Sequence, residues 1–211
     1  MAGAPRQLVV ATRSAHKLRE LRQLLDLDHA RLISLDELGV AGDPVEDGLT
    51  FETNARIKAR FAARATGLPA LADDSGIEVE ALGGLPGVRT RRYAGPDATD
   101  EENNAKLLRE LAAVPAERRG ARYVCVLAVA VPDLAAPGGL HLQTRRGTTR
   151  GRIGFESRGS GGFGYDPLFE PARERLGGRT FGEYSASEKD AISHRGRAAR
   201  RMAPLLRGLG F

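Results

Sequence analysis

The chain contains one cysteine, Cys125, and no tryptophan among its 211 residues. A single cysteine makes no intrachain disulfide, which excludes the stapled secreted scaffolds and points to a reducing cytoplasm. Cys125 lies in the apolar run 123–131, where it reads as a small core hydrophobe. Aromatic residues are only 5 % of the chain, and its 32 Lys and Arg residues form no run of five or six interleaved with aromatics. A nucleic-acid groove shows both features, so no nucleic-acid partner is expected, and the net charge of +5 supports a phosphate-bearing ligand only weakly. No apolar stretch approaches the roughly 18 residues of a membrane helix. Met1-Ala-Gly-Ala-Pro-Arg6 has neither the length nor the pattern of a signal peptide. The four histidines (His16, His29, His141, His194) lack metal-ligand spacing, so no zinc site is expected. No Ser-His-Asp or Cys-His arrangement has local support either.

What is present suits a single domain over 1–211, with 41 % hydrophobic and 28 % charged residues. Leu8–Ala11 reads as a buried strand and Thr12–Lys17 as a turn. Leu18, Leu21, Leu24 and Leu25 then share one helical face. A second helix runs from Phe51 to about Thr66, with Thr50 as N-cap and Gly67-Leu-Pro69 as stop. A third covers about Thr99 to Ala113, opened by Asp100, Glu101 and Glu102 at its positive end. Tyr123–Val131 is a buried strand with Leu140–Thr149 as its hairpin partner, and Gly151 starts another strand element. Ser185-Ala-Ser-Glu188 is a capping box for the last helix, whose stripe is Ile192, Ala199, Met202, Leu205 and Leu206. The mixed order argues for an α/β fold, a mixed central sheet flanked by helices with a smaller hairpin lobe.

The most informative stretch is Leu71-Ala-Asp-Asp-Ser-Gly-Ile-Glu-Val-Glu-Ala-Leu-Gly-Gly84. An apolar run ends on Asp73 and Asp74, Ser75-Gly76 reads as a turn, and Ile77, Val79 and Ala81 then alternate with Glu78 and Glu80. A strand that delivers paired carboxylates to a turn suits Mg²⁺, which needs fixed oxygen ligands. A loop with two solvated aspartates is the plainer alternative.

Three further segments carry candidate chemistry. Thr12–Lys17 places hydroxyls at Thr12 and Ser14 and an ammonium at Lys17 around a helix start, an anion site unless Lys17 is merely solvated. Gly159, Gly161 and Gly164 satisfy G-x-G-x-x-G, but Pro167 follows where that fingerprint demands a helix, so a dinucleotide site is excluded. The loop reads instead as backbone that approaches a ligand closely, with Phe163 and Tyr165 as stacking faces and Asp166 as acceptor, or as a packed hairpin. Lys189 and Ser193, four apart, share a helical face, and His194-Arg195 can donate to a carbonyl or lie on a solvated surface.

Together these segments resemble the inosine triphosphate pyrophosphatase family, the non-canonical purine NTP (XTP/dITP) diphosphatases. The resemblance covers nearly the whole chain. It rests on Gly48-Leu-Thr-Phe-Glu-Thr-Asn-Ala55 with Lys58-Ala59, Ala72-Asp-Asp-Ser-Gly76, Leu82-Gly-Gly84 and Pro86-Gly87. It continues with Arg92-Tyr-Ala-Gly95, Gly161-Gly-Phe-Gly-Tyr-Asp-Pro167 and Ile192-Ser-His-Arg-Gly196. It implies Mg²⁺-dependent hydrolysis of a nucleoside triphosphate between the α- and β-phosphates, in a nucleotide cleft between lobes. Thr12, Arg13, Ser14, Ala15, His16 and Lys17 would cradle the triphosphate. Glu46 and Asp74 would hold the metal, Asp74 would also act on the attacking water with Asp73 beside it, and Ser75 would touch substrate. Phe163, Gly164, Tyr165 and Asp166 would enclose the base, with Lys189, His194 and Arg195 completing the pocket. Donors from His194 or Arg195 facing a 6-oxo group would discriminate against adenine.

The chain departs from the family's phosphate turn, Ser/Thr-Gly/x-Asn-x-x-Lys, at Arg13 and Ser14. The shorter Ser14 weakens the case for a substrate contact there, and Arg13 offers an added phosphate contact. Rival readings are a pyrophosphatase for modified pyrimidine nucleotides and a non-catalytic nucleotide or nucleic-acid binder. The resemblance further implies a homodimer, and the composition a cytoplasmic protein.

Overall fold

The computed structural model describes residues 5–211, and the signal-peptide reading of the first residues lies largely outside them. Among the described residues six strands form one sheet in the order β2-β1-β3-β4-β5-β6. They are β1 (Arg6–Val10), β2 (Ala30–Ser34), β3 (Ala70–Val79), β4 (Gly120–Pro132), β5 (Leu140–Ile153) and β6 (Phe169–Pro171). β1 pairs in parallel with β2 and β3, and β5 pairs antiparallel with β6, so the sheet is mixed. Helices α1 (Ala15–Leu25), α2 (Phe51–Thr66), α3 (Asp100–Glu110), α4 (Ala186–Ile192) and α5 (His194–Gly208) complete an α/β fold. No helix among the described residues is long and apolar enough to cross a membrane.

The chain forms two compact units. The first comprises Met1–Asp74, Cys125–Gly147 and Arg195–Phe211, and the second Ser75–Val124 and Thr148–His194. In the first, the leucine stripe of α1 buries Leu21 and Leu25 against Leu8, Val10, Leu71, Cys125, Leu127 and Val129 of the strands. Ala198, Ala199, Met202, Ala203 and Leu206 of α5 join the same core. The small residues on α5 let that helix lie close to its neighbours, and burial of the larger ones supplies the stabilisation, at about 25 cal/mol per Å² of apolar surface. The second unit has an aromatic core of Tyr93, Tyr123, Tyr165, Phe169, Phe181 and Tyr184 around Ile77, Val79, Leu107 and Leu111.

Local signals set the helix ends. Thr50 Oγ1 accepts the N–H of Thr53, and Gly67 ends α2 at φ +67°. Thr99 and Ser185 each close a capping box, with Glu102 and Glu188.

Three expectations are corrected. Ser75-Gly76 is not a turn: β3 continues from Ala70 to Val79 with Gly76 buried inside it. The turn signal loses because the strand buries Ile77 and Val79 beyond it, and because the carboxylates before it are matched by cations (below). β5 likewise runs unbroken to Ile153, so Gly151 does not begin a new strand. The last helix is two helices. Ser193 is extended (φ −65°, ψ 159°), which ends α4 at Ile192 and starts α5 at His194. Lys189 and Ser193 therefore share no helical face, and Ile192 packs on the aromatic core of the second unit rather than with the α5 stripe.

Candidate active site

In the first unit, residues 12–14 join β1 to α1. Ser14 is the N-cap of α1, its Oγ accepting the N–H of Lys17 at 3.4 Å, and Thr12 Oγ1 accepts the N–H of Ser14 at 3.2 Å. Asn and Ser cap helices about equally well, so the replacement of the family's Asn leaves this local job filled. Ala15 and His16 follow on the exposed side of the first turn. A helix start of this kind favours an anion through its donors and dipole. Arg13 turns elsewhere. It pairs with Asp36 and Asp43 and donates to the carbonyls of Val40 and Gly42. The guanidinium, which the sequence offered as an added phosphate contact, is thus occupied within the loop after β2.

The two adjacent aspartates have different surroundings. Asp73 is 1 % exposed and meets Lys17 Nζ through Oδ1 at 2.5 Å. Its Oδ2 accepts from Arg195 Nε and Nη2 at 3.3 and 3.2 Å, and from the Cys125 thiol at 3.5 Å. Arg195 Nη1 in turn donates to Glu20 Oε2 at 2.5 Å. Burial works against the Asp73 charge, but Lys17, Arg195 and Lys58 outweigh it and hold the carboxyl well below its ordinary range. Burial, with Asp73 alongside, pushes the Cys125 thiol well up, so it is a neutral donor and not a nucleophile.

Asp74 Oδ1 accepts from Lys58 Nζ at 2.7 Å, and that ammonium lies 3.2 Å from Glu46 Oε2. Burial raises the Asp74 carboxyl above its ordinary value, with Asp73 adding and Lys58 opposing. Burial disfavours the Lys58 charge, yet Asp74, Glu46 and Asp73 outweigh it, so Lys58 is held protonated. The two neighbouring carboxylates are thus pushed in opposite directions by their surroundings.

Glu46 and Asp74 thus converge on one cation, with hard oxygen donors. Among the described residues no group of three or more His, Cys, Asp or Glu is placed to hold an ion. Two carboxylates fit Mg²⁺ well, because it usually keeps water and takes its remaining oxygens from substrate phosphates.

In the second unit, Asp166 is 2 % exposed and its Oδ2 accepts from Phe163 N at 2.9 Å and Lys189 Nζ at 2.8 Å. Lys189 Nζ also lies 4.8 Å from the centre of the Phe163 ring. Gly164 donates its N–H to Asp100 Oδ2 at 2.6 Å, and its carbonyl accepts from Asn104 Nδ2 at 3.0 Å. Tyr165 is a core residue whose hydroxyl donates to the Thr90 carbonyl at 2.9 Å. Its ring therefore offers no stacking face, and Phe163, half-buried, is the aromatic at the loop surface. His194 stacks on Tyr123 with ring centres 4.5 Å apart and planes 7° from parallel. Ser75 follows Asp74 in β3, half-buried.

Sequence reading assigned no role to Lys58, Glu20, Tyr123 or Asn104. Lys58 had a readable signal, since it interrupts the stripe Phe51, Ala55, Ala59, Ala62 that α2 buries. A lysine on such a stripe needs an acidic partner. Glu20, one turn beyond Lys17 on α1, meets its partner 175 residues away, which no local pattern reports.

A model of the Ham1 family matches residues 8–205. A dITP/XTP pyrophosphatase of Anaeromyxobacter sp. (strain Fw109-5) is 48 % identical over 230 residues, covering 96 % of this chain and 97 % of that protein. One from Geobacter sulfurreducens is 50 % identical over 192 residues, with 91 % and 92 % covered. Among solved structures, a HAM1 protein from Coxiella burnetii superposes with a TM-score of 0.84 at 41 % identity, covering 96 % of this chain and 99 % of that one. With sequence and fold in agreement over nearly its full length, the chain belongs to the Ham1 family.

Proposed function

We propose that this protein hydrolyses non-canonical purine nucleoside triphosphates (dITP, ITP, XTP) to the monophosphate and pyrophosphate, and that its divalent ion is Mg²⁺. The observation that carries the reading is the convergence of the Asp74 and Glu46 carboxylates on the Lys58 ammonium, at 2.7 and 3.2 Å. The names of relatives about half identical over nearly the whole chain support it.

In this reading the turn from Thr12 to Lys17 receives the triphosphate on the α1 N-terminus and the Lys17 ammonium. Glu46 and Asp74 would hold the ion, which when bound would supply positive charge against the phosphate oxygens. Asp74 accepts the proton of the attacking water as a new bond forms to the α-phosphorus. The α–β bridging oxygen departs with pyrophosphate and its electron pair. Asp73, fixed by Lys17 and Arg195, keeps those cations in place and does not take the proton. Ser75 touches the substrate beside Asp74. In the second unit, Phe163 faces the base, the backbone of Gly164 and Tyr165 borders it, and Asp166 with Lys189 holds that loop. His194 donates to the 6-oxo group, which leaves it mismatched against the amino group of adenine. Arg195, anchored on Asp73 and Glu20, follows it on α5. A homodimer in the cytoplasm completes the reading, to be checked by light scattering and cell fractionation.

The test is pyrophosphate release from dITP, XTP, dATP and dGTP, with Mg²⁺ and with EDTA. Metal-dependent release from dITP and XTP, with little from dATP and dGTP, is expected. Release from none, or equal release from dATP, overturns the reading.

A further inference from the structure

Arg13 stands where the family's turn has a small residue, and its guanidinium is directed wholly into the loop after β2. It pairs with the Asp36 carboxylate, and its Nε donates to Asp43 Oδ1 at 3.0 Å. Its Nη2 donates to the carbonyls of Val40 at 3.0 Å and Gly42 at 2.6 Å. One planar fork thus holds both ends of segment 36–43, a task that suits Arg and not Lys.

The loop needs such a tie. Its own backbone bonds end early, with Leu38 and Val40 donating to Leu35 and Gly39 to Asp36. Among the described residues, 41–47 form no backbone–backbone hydrogen bond. Gly42 has φ +74°, and Ala41, Gly42, Asp43 and Val45 are exposed. Glu46 lies in this stretch, only three residues beyond Asp43. Past it, the chain is tied again by Lys58 on Glu46 and by Asn54 Oδ1, which accepts the N–H of Gly48 at 2.8 Å.

We propose that Arg13 is a positioning residue that fixes segment 40–46 and thereby sets the Glu46 carboxylate for the divalent ion. The inference rests on the reaction proposed above and gives Glu46 a second support opposite Lys58. A direct phosphate contact by Arg13 is disfavoured by charge. With Asp36 and Asp43 the cluster sums to −1, which repels a triphosphate instead of attracting it.

The experiment compares wild type, Arg13→Ala, Arg13→Lys and the double variant Asp36→Ala/Asp43→Ala. The first readout is amide hydrogen exchange in metal-free protein at Leu38, Gly39, Val40 and Gly48, the loop amides that hold hydrogen bonds on either side of 41–47. The second is the Mg²⁺ dependence of pyrophosphate release from dITP. In Arg13→Ala, exchange at Leu38, Gly39, Val40 and Gly48 rises about tenfold while β1 and α1 keep their protection. The Mg²⁺ concentration for half-maximal rate also rises about tenfold, the usual scale for losing an outer support of a metal ligand. The double aspartate variant reproduces both effects, and Arg13→Lys restores them only in part. Unchanged exchange at Leu38, Gly39, Val40 and Gly48 removes the tether. Faster exchange with an unchanged Mg²⁺ requirement removes its link to Glu46. A higher KM for dITP in Arg13→Ala, with tighter substrate binding when the aspartates are removed, makes Arg13 a phosphate ligand and overturns the proposal. A wild type without pyrophosphate release in any triphosphate brings down the underlying reaction instead, and the exchange pattern separates that failure from failure of the tether.

Discussion

Lys58 Nζ lies 2.7 Å from Asp74 Oδ1, and both side chains are largely buried, at 13 % and 11 % exposure. The ammonium also reaches Glu46, so it sits where two carboxylates would share a metal ion. Lys58→Met keeps the stem and removes the charge. Removing one partner of a buried pair costs about 3–5 kcal/mol, and the lower end applies here because neither group is fully buried. The metal-free variant is therefore expected to melt well below wild type. Mg²⁺ should then raise its melting temperature more than that of wild type, since the ion can neutralise the carboxylates left behind. Equal Mg²⁺ shifts in the two proteins would show that the ammonium and the ion do not share these carboxylates.

The neighbouring aspartates should fail in opposite ways. Asp74→Asn removes the proposed proton acceptor and leaves Lys58 paired with Glu46, so folding is kept while kcat falls by about 10³, within the range of general-base losses. Asp73→Asn instead deprives Lys17 and the buried Arg195 guanidinium of their shared carboxylate. Its main defect is expected in thermal stability. Melting curves and kcat of both variants decide the matter, and near-normal turnover in Asp74→Asn would sink its assigned role.

Lys17→Ala should act chiefly on substrate binding. The ammonium sits in the first turn of α1, pairs with Asp73 and is the cation proposed to meet the triphosphate there. KM for dITP is expected to rise about tenfold, the cost of one charge-assisted contact of about 1.4 kcal/mol. An unchanged KM together with a normal kcat would remove Lys17 from the cradle.

Much of this arrangement was legible because its signals are local. Thr50 and Ser185 as caps, Gly67 as a stop and the leucine stripe of α1 each depend on residues within about one or two turns. The paired aspartates were visible, but not the difference between them. That difference comes from Lys17, Lys58 and Arg195, which the fold brings from positions far apart in the chain. The Ser75-Gly76 pair misled for a similar reason, since a turn preference is weak against a strand buried on both sides of it. Tyr165 looked like a stacking face because sequence cannot show that its hydroxyl reaches Thr90. Arg13 read as a phosphate ligand by its position in the turn, yet the two aspartates that claim it lie 23 and 30 residues away.

The Asp73 environment also sets a pH dependence of stability. Its folded-state carboxyl is held below its unfolded value of about 3.9. A depressed acid stabilises the fold above the unfolded value, and that contribution is lost as pH falls through the folded one. In EDTA, wild-type stability should therefore fall as pH drops below about 4. Lys17→Ala lacks one of the cations that depress Asp73, so its stability should fall less steeply over the same window. Urea midpoints from pH 5 to pH 3, read as about two pH points per unit, test the difference in slope. Parallel curves would mean that Lys17 does not tune Asp73.

Gly162 offers a test confined to the second unit. Its φ is +75°, and a Cβ built there would lie 2.1 Å from Asp166 Oδ2. Gly162→Ala thus meets two penalties. Ala at positive φ costs about 1 kcal/mol, and the methyl group must displace the carboxylate that holds Lys189 and the Phe163 N–H. If this loop borders the base, KM for dITP and XTP should rise about tenfold, while inhibition by pyrophosphate, which has no base, stays as in wild type. Lys17→Ala should do the reverse and weaken pyrophosphate inhibition. Equal weakening of both ligands in Gly162→Ala would mean a general loss of structure, and an unchanged KM would take the Phe163–Asp166 loop out of base recognition.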